Sequence, residues 1–226
     1  MPEIADRLDA LRDRIAAACS DAGRDPAGVE LLAVSKTFPP EAVREAYEAG
    51  QRVFGESRQQ EAAPKIAELP GDIRWHFIGG LQRNKARKVV AGFCCIHSVD
   101  SLRLAEYLDR VAGEDGKRPQ VYLEVNLAGE ESKGGFSPGD LLGAADSLPA
   151  LRHLDIRGLM AIPPEECARQ WFARTRELRD ELAARSGLSL PGLSMGMSGD
   201  FEDAVREGST VVRVGFAIFG NRNHPV

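Results

Sequence analysis

Lys36 stands where the apolar run ELLAVSK gives way to TFPP. Val29 to Val34 is short and apolar enough for a buried strand, and Pro39 and Pro40 stop it and open the helical pattern EAVREAYEAG. A lysine at the C-terminal end of a buried strand is half desolvated. Desolvation disfavours the ammonium form and exposes a neutral amine, the nucleophile that condenses with an aldehyde to a Schiff base. The same position also suits a strand-end lysine whose stem lies on apolar surface while its head reaches solvent.

Other residues able to do chemistry fall at the ends of apolar runs: Glu56 and Ser57, His76, His97 and Ser98, Asn126, Met160, Ser198, and Arg213 with Gly215. Taken singly, His76 in WHFIG and His97 in CIHSV read as hydrogen-bonded core histidines, and Asn126 as a residue that caps the next turn. The segment LSMGMSGDFEDAVREGS is more specific. Its Met195–Gly199 stretch is a tight strand-to-helix junction, and Asp200 can cap the helix that follows. Such a junction offers backbone N–H groups and the Ser198 hydroxyl to an anion. Downstream, VVRVGFAIFG carries Gly215, which lets a ligand approach the backbone closely. Arg213 lies two residues before Gly215 and shares its sheet face. A guanidinium inside an apolar strand needs a partner, either a ligand or an internal carboxylate such as Glu124.

The elements that must position these residues alternate. Strands are expected at Val29–Lys36, Arg52–Glu56, Arg74–Gly79, Cys94–Val99, Gln120–Leu127, Asp155–Ile162, Gly192–Ser198 and Val211–Phe219. Helices are expected near 41–49, 57–68, 82–91, 101–113, 138–147, 164–185 and 200–207. A leading helix places Ile4, Leu8, Leu11, Ile15 and Ala18 on one stripe, with Gly23 as its cap. Strands that alternate with helices pair in parallel through right-handed crossovers, and eight such units predict one closed (β/α)8 barrel over residues 1–226 with an extra N-terminal helix. In that fold, function gathers at the C-terminal ends of the strands, and the loops after strands seven and eight commonly bind phosphate. Ala128 to Gly139 reads as a mobile loop.

Bulk composition narrows the class. The 226 residues are 43% hydrophobic and 28% charged with net charge −5, ordinary for a globular protein and unlike a nucleic-acid platform. No apolar run approaches the roughly 20 residues of a membrane span, and the N-terminus lacks the apolar block of a secretory signal, so a cytoplasmic location is expected. Cys19, Cys94, Cys95 and Cys167 show no metal-ligand spacing, and Cys94 and Cys95 read as buried strand thiols. The basic cluster Arg83, Lys85, Arg87 and Lys88 reads as a solvated helix face, with docking of a partner or steering of an anion as alternatives.

The segments AVSKTFPP, FGES, WHFIGGLQRNKAR, RGLMAIP and LSMGMSGDFEDAVREGSTVVRVGFAIFG resemble the YggS/PROSC family of pyridoxal 5'-phosphate homeostasis proteins, related in fold to the barrel domain of alanine racemase. The resemblance runs from about Leu31 to Gly220. It implies a pyridoxal 5'-phosphate cofactor at the strand C-termini, with Lys36 as its Schiff-base lysine. Ser198 with the Gly215–Phe216 backbone is implied as the phosphate cradle and Arg213 as the arginine facing the pyridine nitrogen. Ser57, His76 and Met160 are implied as pocket lining. Three positions depart from the family's usual pattern: Ser57 follows FGE where Asn is common, Gly80 follows Gly79 where Pro is common, and Phe216 stands where a small hydroxyl residue is common. If the usual hydroxyl binds phosphate, the last departure costs one contact and leaves only backbone donors.

The resemblance implies a carrier or buffer of the cofactor without turnover; the alternative is a small amino-acid racemase or related enzyme. Racemisation needs a base on each face of the substrate. The related racemases bring a tyrosine from a second domain, whereas this chain ends six residues after Gly220, and Tyr47, Tyr107 and Tyr122 read as positions away from the mouth. A permanently charged Arg213 would keep the ring nitrogen unprotonated and weaken the electron sink. Apo-forms of enzymes that use the cofactor are the candidate partners. A monomer is expected, with no nucleic acid and no membrane. Lys133 reads as a surface lysine, or as a second aldehyde-reactive amine.

Overall fold

The computed structural model describes residues 3–130, 133–164 and 166–221. Glu165 of the helix expected over 164–185, and Glu131 and Ser132 of the expected mobile loop, lie outside the described residues. The apolar runs form eight short strands: β1 (Glu30–Val34), β2 (Val53–Glu56), β3 (Arg74–Phe77), β4 (Cys95–Val99), β5 (Gln120–Val125), β6 (Asp155–Ala161), β7 (Gly192–Ser194) and β8 (Val211–Val214). Each pairs in parallel with the next, and β8 returns to β1, so the sheet closes. The helices between them are α2 (Pro40–Glu48), α3 (Gln59–Glu68), α4 (Ala86–Gly92), α5 (Leu102–Glu114), α6 (Pro138–Gly143), α7 (Ala168–Ser186) and α8 (Phe201–Arg206), with α1 (Ile4–Asp21) ahead of the barrel.

Side-chain alternation divides the core in two. Leu32, Val53, Cys95, Tyr122, Met160 and Val211 come from six strands yet touch one another, which only the barrel interior permits. Residues of opposite parity, such as Ala33, Phe54, Trp75 and Ile96, join the helices in the outer core. Helix α1 buries its expected stripe against α2, α8 and the turn at Phe216–Phe219, with Gly23 in the left-handed region just past its end. Arg7 donates to the Ile218 carbonyl at 3.0 Å, and Arg24 donates to the carbonyls of Val205 and Ser209, so this helix straps the β1–β8 seam.

Most differences from the expected elements lie at strand ends. The strand expected over Val211–Phe219 stops at Val214, and Phe216–Phe219 form a helical turn, α9. Apolar FAIF extends the run in sequence, but its N–H groups turn back on the chain: those of Ile218 and Phe219 donate to Gly215 O, and the Phe219 ring packs tilted against Phe38 at 4.9 Å. Strand β7 is three residues and not seven: bonds to β8 continue through Gly196, and Met197 to Asp200 then form the turn that enters α8. Strand β1 ends at Val34, two residues before Lys36. Asp200 occupies the N-cap position of α8, but its carboxylate accepts from the Met197 N–H behind it at 2.6 Å and makes no capping bond to the helix. Cys95 is a buried strand thiol; Cys94 is exposed just before β4, its thiol turned to the Trp75 carbonyl. No helix among the described residues is long and apolar enough to cross a membrane.

Candidate functional site

The amine at position 36 is placed by its neighbour. Ser35 follows β1 and is tied at three atoms: its N–H donates to Gly55 O at 3.0 Å, its Oγ to Glu56 Oε1 at 2.7 Å, and its carbonyl accepts from Lys65 Nζ at 2.9 Å. Lys65 also donates to Glu56 Oε1 at 2.7 Å, and Glu56 is fully buried. Glu56 Oε2 finds no donor among the described residues. This buried ion pair clamps the end of β1 to β2 and α3. Thr37 then adopts φ 71°, a left-handed conformation uncommon outside glycine, and the chain turns away. Lys36 is left half-buried at the barrel mouth.

There it lines a cavity of about 390 Å³ with Val34, Phe38, Gly215, Phe216 and Gly220. The exits of β1 and β8 therefore meet as the sequence predicts. A side chain at Gly215 would press on the Val34 carbonyl at 3.1 Å, so glycine is what lets the two exits approach. Phe216, one of the residues lining the cavity, is 64% exposed. Ser198, after β7, joins this rim through a 3.5 Å contact between its Oγ and the Ala217 N–H.

Arg213 lies on the interior face of β8 and is buried. Its Nη1 donates to Ser194 O at 2.6 Å and to Ser194 Oγ at 2.8 Å, and its Nη2 to Ala161 O at 3.0 Å. Those acceptors are neutral. Burial lowers its pKa to about 10, offset by the nearby charges of Glu124 and Asp200, so it stays cationic at neutral pH. Glu124 faces it across the interior, its carboxyl raised by burial and by Asp100 and lowered in turn by Arg213.

His76 and His97 are both buried inside the barrel, His76 Nδ1 lying 3.0 Å from His97 Nε2. His97 Nδ1 lies 2.8 Å from Ser194 Oγ, and its ring stacks on Tyr122. Burial lowers His76 to about 3, with help from Arg74, and holds His97 well below the usual range, with help from His76 and Arg213. Met160 is buried in the interior apolar layer below the mouth. Ser57 is half-buried and lines a neighbouring cavity of about 620 Å³ with Arg58, Gln82 and Lys85. The structure thus brings Lys36, Gly215, Phe216 and Ser198 to one rim, with Arg213 on the next interior position of β8.

Asn126 ties its own loop, donating to the carbonyls of Glu130 and Lys133 at 2.9 and 3.2 Å. Lys133 donates to Ile162 O at 3.3 Å and pairs with Glu130. In the basic cluster, Arg87 is engaged with Glu114 and Asp115. Tyr122 is buried within the barrel, Tyr47 bonds Asp72 on the outside, and Tyr107 lies on α5. Two residues carry the site without having been singled out from sequence. Lys65 reads as a surface helix lysine, and nothing in its local pattern marks the burial. Ser194 sits in an apolar strand, and parity with Gly196 and Ser198 was its one signal.

The family described as alanine racemase, N-terminal domain, matches residues 7–223. The chain is 43% identical over 224 residues to the pyridoxal phosphate homeostasis protein of Aquifex aeolicus, covering 97% of this chain and 98% of that one. It is 47% identical over 229 residues to the protein of the same name from Pseudomonas aeruginosa, covering 99% and 98%. Among solved structures, PipY of Synechococcus elongatus PCC7942, with PLP bound, superposes with a TM-score of 0.86 at 46% identity, covering 96% of this chain and all of that one.

Proposed function

Since the chain belongs to the alanine racemase N-terminal-domain family, among its pyridoxal phosphate homeostasis proteins, we propose that it binds pyridoxal 5'-phosphate at the barrel mouth and holds it in reserve without amino-acid turnover. One observation carries the reading: a half-buried lysine shares a cavity with a glycine-opened backbone turn, and a buried arginine held by neutral acceptors lies on β8 two residues before that glycine. These residues fit the group. Lys36 supplies the amine, Ser198 and the backbone from Gly215 supply donors for a phosphate, and Arg213 supplies a charge for the ring nitrogen. The bound cofactor contributes an electrophilic aldehyde.

What the chain does with that group follows from its own side chains. The Ser35 clamp holds the Lys36 backbone at the mouth, so little ordering is needed on binding. Arg213 remains charged at neutral pH and disfavours a proton on any nitrogen set against it. That limits the electron withdrawal which carbanion chemistry needs. Lys36 offers a proton acceptor on one side. None of the three tyrosines lines its cavity: Tyr122 is buried against His97, and Tyr47 and Tyr107 lie on the outer helices. His76 and Met160 act by shaping the interior beneath the mouth, and Ser57 by closing its flank. We further propose that the chain works as a single-domain monomer in the cytoplasm and yields the cofactor to apo-enzymes that use it.

The test is spectroscopic. Protein loaded with pyridoxal 5'-phosphate should absorb in the visible, and borohydride should fix one pyridoxyl group on the Lys36 peptide. A single label elsewhere, with Lys36 unmodified, would overturn the assignment.

A further inference from the structure

A continuous polar chain crosses the barrel interior and ends on Arg213. It runs from His76 Nδ1 to His97 Nε2 at 3.0 Å, from His97 Nδ1 to Ser194 Oγ at 2.8 Å, and from Ser194 Oγ to Arg213 Nη1 at 2.8 Å. His97 and Ser194 are fully buried, and His76 nearly so. We infer that Ser194, backed by His97 and His76, is a positioning residue that locks the Arg213 guanidinium toward the cofactor site.

Proton counting gives the chain a direction. Arginine only donates, so Ser194 Oγ accepts from Nη1. The serine's single O–H is then free to donate to His97 Nδ1. A neutral His97 must in that case carry its proton on Nε2 and donate it to His76 Nδ1. Every contact is satisfied with both imidazoles neutral, and burial keeps them neutral. The reverse order would put two donors on Ser194 Oγ and leave its own proton without a place in the chain. The forward order therefore fixes both histidines as Nε2–H tautomers. At the arginine end, Nη1 is committed to Ser194 O and Oγ and Nη2 to Ala161 O. Three bonds to two strands fix the guanidinium plane, whereas a lone carbonyl would let it swing.

The two histidines and Cys95 also bring three metal-ligating atoms within 4.8 Å. A dication there would stand close to a guanidinium whose positive charge already depresses His97. The two facing ring nitrogens are instead at the distance of a shared proton.

The inference rests on the proposed cofactor site, and the test separates the two. In cofactor-free protein, 15N NMR should show His76 and His97 as neutral Nε2–H tautomers at pH 6, with slow rotation at the Arg213 guanidinium. Ser194→Ala, and His97→Phe, which keeps a ring against Tyr122, should speed that rotation. With pyridoxal 5'-phosphate, both variants should bind about tenfold more weakly, as expected for a lost bond to a charged group, and should shift the visible absorption band. A merely structural role would lower the melting temperature of both variants and leave the band of the folded, loaded protein unmoved; that result overturns the inference. Stoichiometric zinc in purified protein, lost in Cys95→Ser, overturns it as well. Failure of the wild type to take up the cofactor sinks the proposed function, and the cofactor-free NMR then decides the positioning claim alone.

Discussion

Replacing Lys65 with methionine removes one member of a fully buried ion pair and keeps the apolar stem. In the native protein Lys65 Nζ donates to Glu56 Oε1 at 2.7 Å and to the Ser35 carbonyl at 2.9 Å. Without it, Glu56 keeps one donor, the Ser35 hydroxyl, for a carboxylate that has no exposed surface. Breaking a buried pair by removing one partner costs about 3–5 kcal/mol, because the remaining charge stays desolvated. The expected loss for Lys65→Met is therefore about 3–5 kcal/mol in urea unfolding at neutral pH. Lys65→Met with Glu56→Gln removes both charges while Gln keeps an oxygen for Ser35, so the double variant should recover a large part of that loss. The single variant should also free the Ser35 backbone, and Lys36 in it should react more slowly and less selectively with pyridoxal 5'-phosphate. A Lys65→Met cost below about 1 kcal/mol, or costs that simply add in the double variant, would refute the clamp.

Lys36→Ala should abolish borohydride-fixed label while leaving the unfolding midpoint nearly unchanged, since the side chain is half-buried at the mouth and leaves no core void. Ser198→Ala should weaken pyridoxal 5'-phosphate about 10- to 100-fold by titration, the range for a hydrogen bond to a charged group, and unphosphorylated pyridoxal should bind poorly to both proteins. Stability should fall with acid. His76 and His97 are depressed in the folded state, His76 to about 3, so their contribution is complete above the unfolded value near 6.5 and is lost as pH drops toward 3. The slope should reach about 1.4 kcal/mol per pH unit for each histidine, and urea midpoints from pH 7.5 to 4 that stay flat would contradict it. Gly79→Ala should destabilise by at least about 1–3 kcal/mol, as an overpacked site does, since a Cβ there would sit 2.1 Å from the Ser57 carbonyl oxygen; a neutral effect on thermal unfolding would count against that close approach. Incubation with L- and D-alanine, serine and glutamate in deuterated buffer should give no enantiomer conversion near one turnover per second, and such turnover, lost in Lys36→Ala, would make the protein an enzyme.

The alternation of strands and helices was legible because each buried strand is a short apolar run closed by Gly, Pro or a charge, a local signal. Strand ends were less so. Apolar FAIF after Gly215 continues the run, and the contacts that hold it as a helical turn, such as Phe219 against Phe38 and the Arg7 bond to Ile218, are long-range. The rim was legible where residue type and strand-end position coincide, as at Lys36, Ser198 and Gly215. The supporting residues were not. Lys65 is buried only because Glu56 and the Ser35 carbonyl meet it, and partners 30 residues apart leave no periodic trace. Parity places His76, His97, Ser194 and Arg213 inside the barrel, but which of them touch is set by shear between strands, a property of closure that sequence spacing does not carry.

The seam strapped by α1 also dictates an order of events during synthesis. Lys36 leaves the ribosome well before Ser194, Ser198, Arg213 and the Gly215 turn are made, and β1 has β8 as one of its two neighbours. On the proposed site, a nascent chain therefore carries the amine long before it carries the groups assigned to a phosphate and a ring. If the site works as proposed, aldehyde capture waits for β8 to dock and cofactor loading reports completion of the whole barrel; a ribosome-stalled chain lacking β8 should then have a lysine but no binding site.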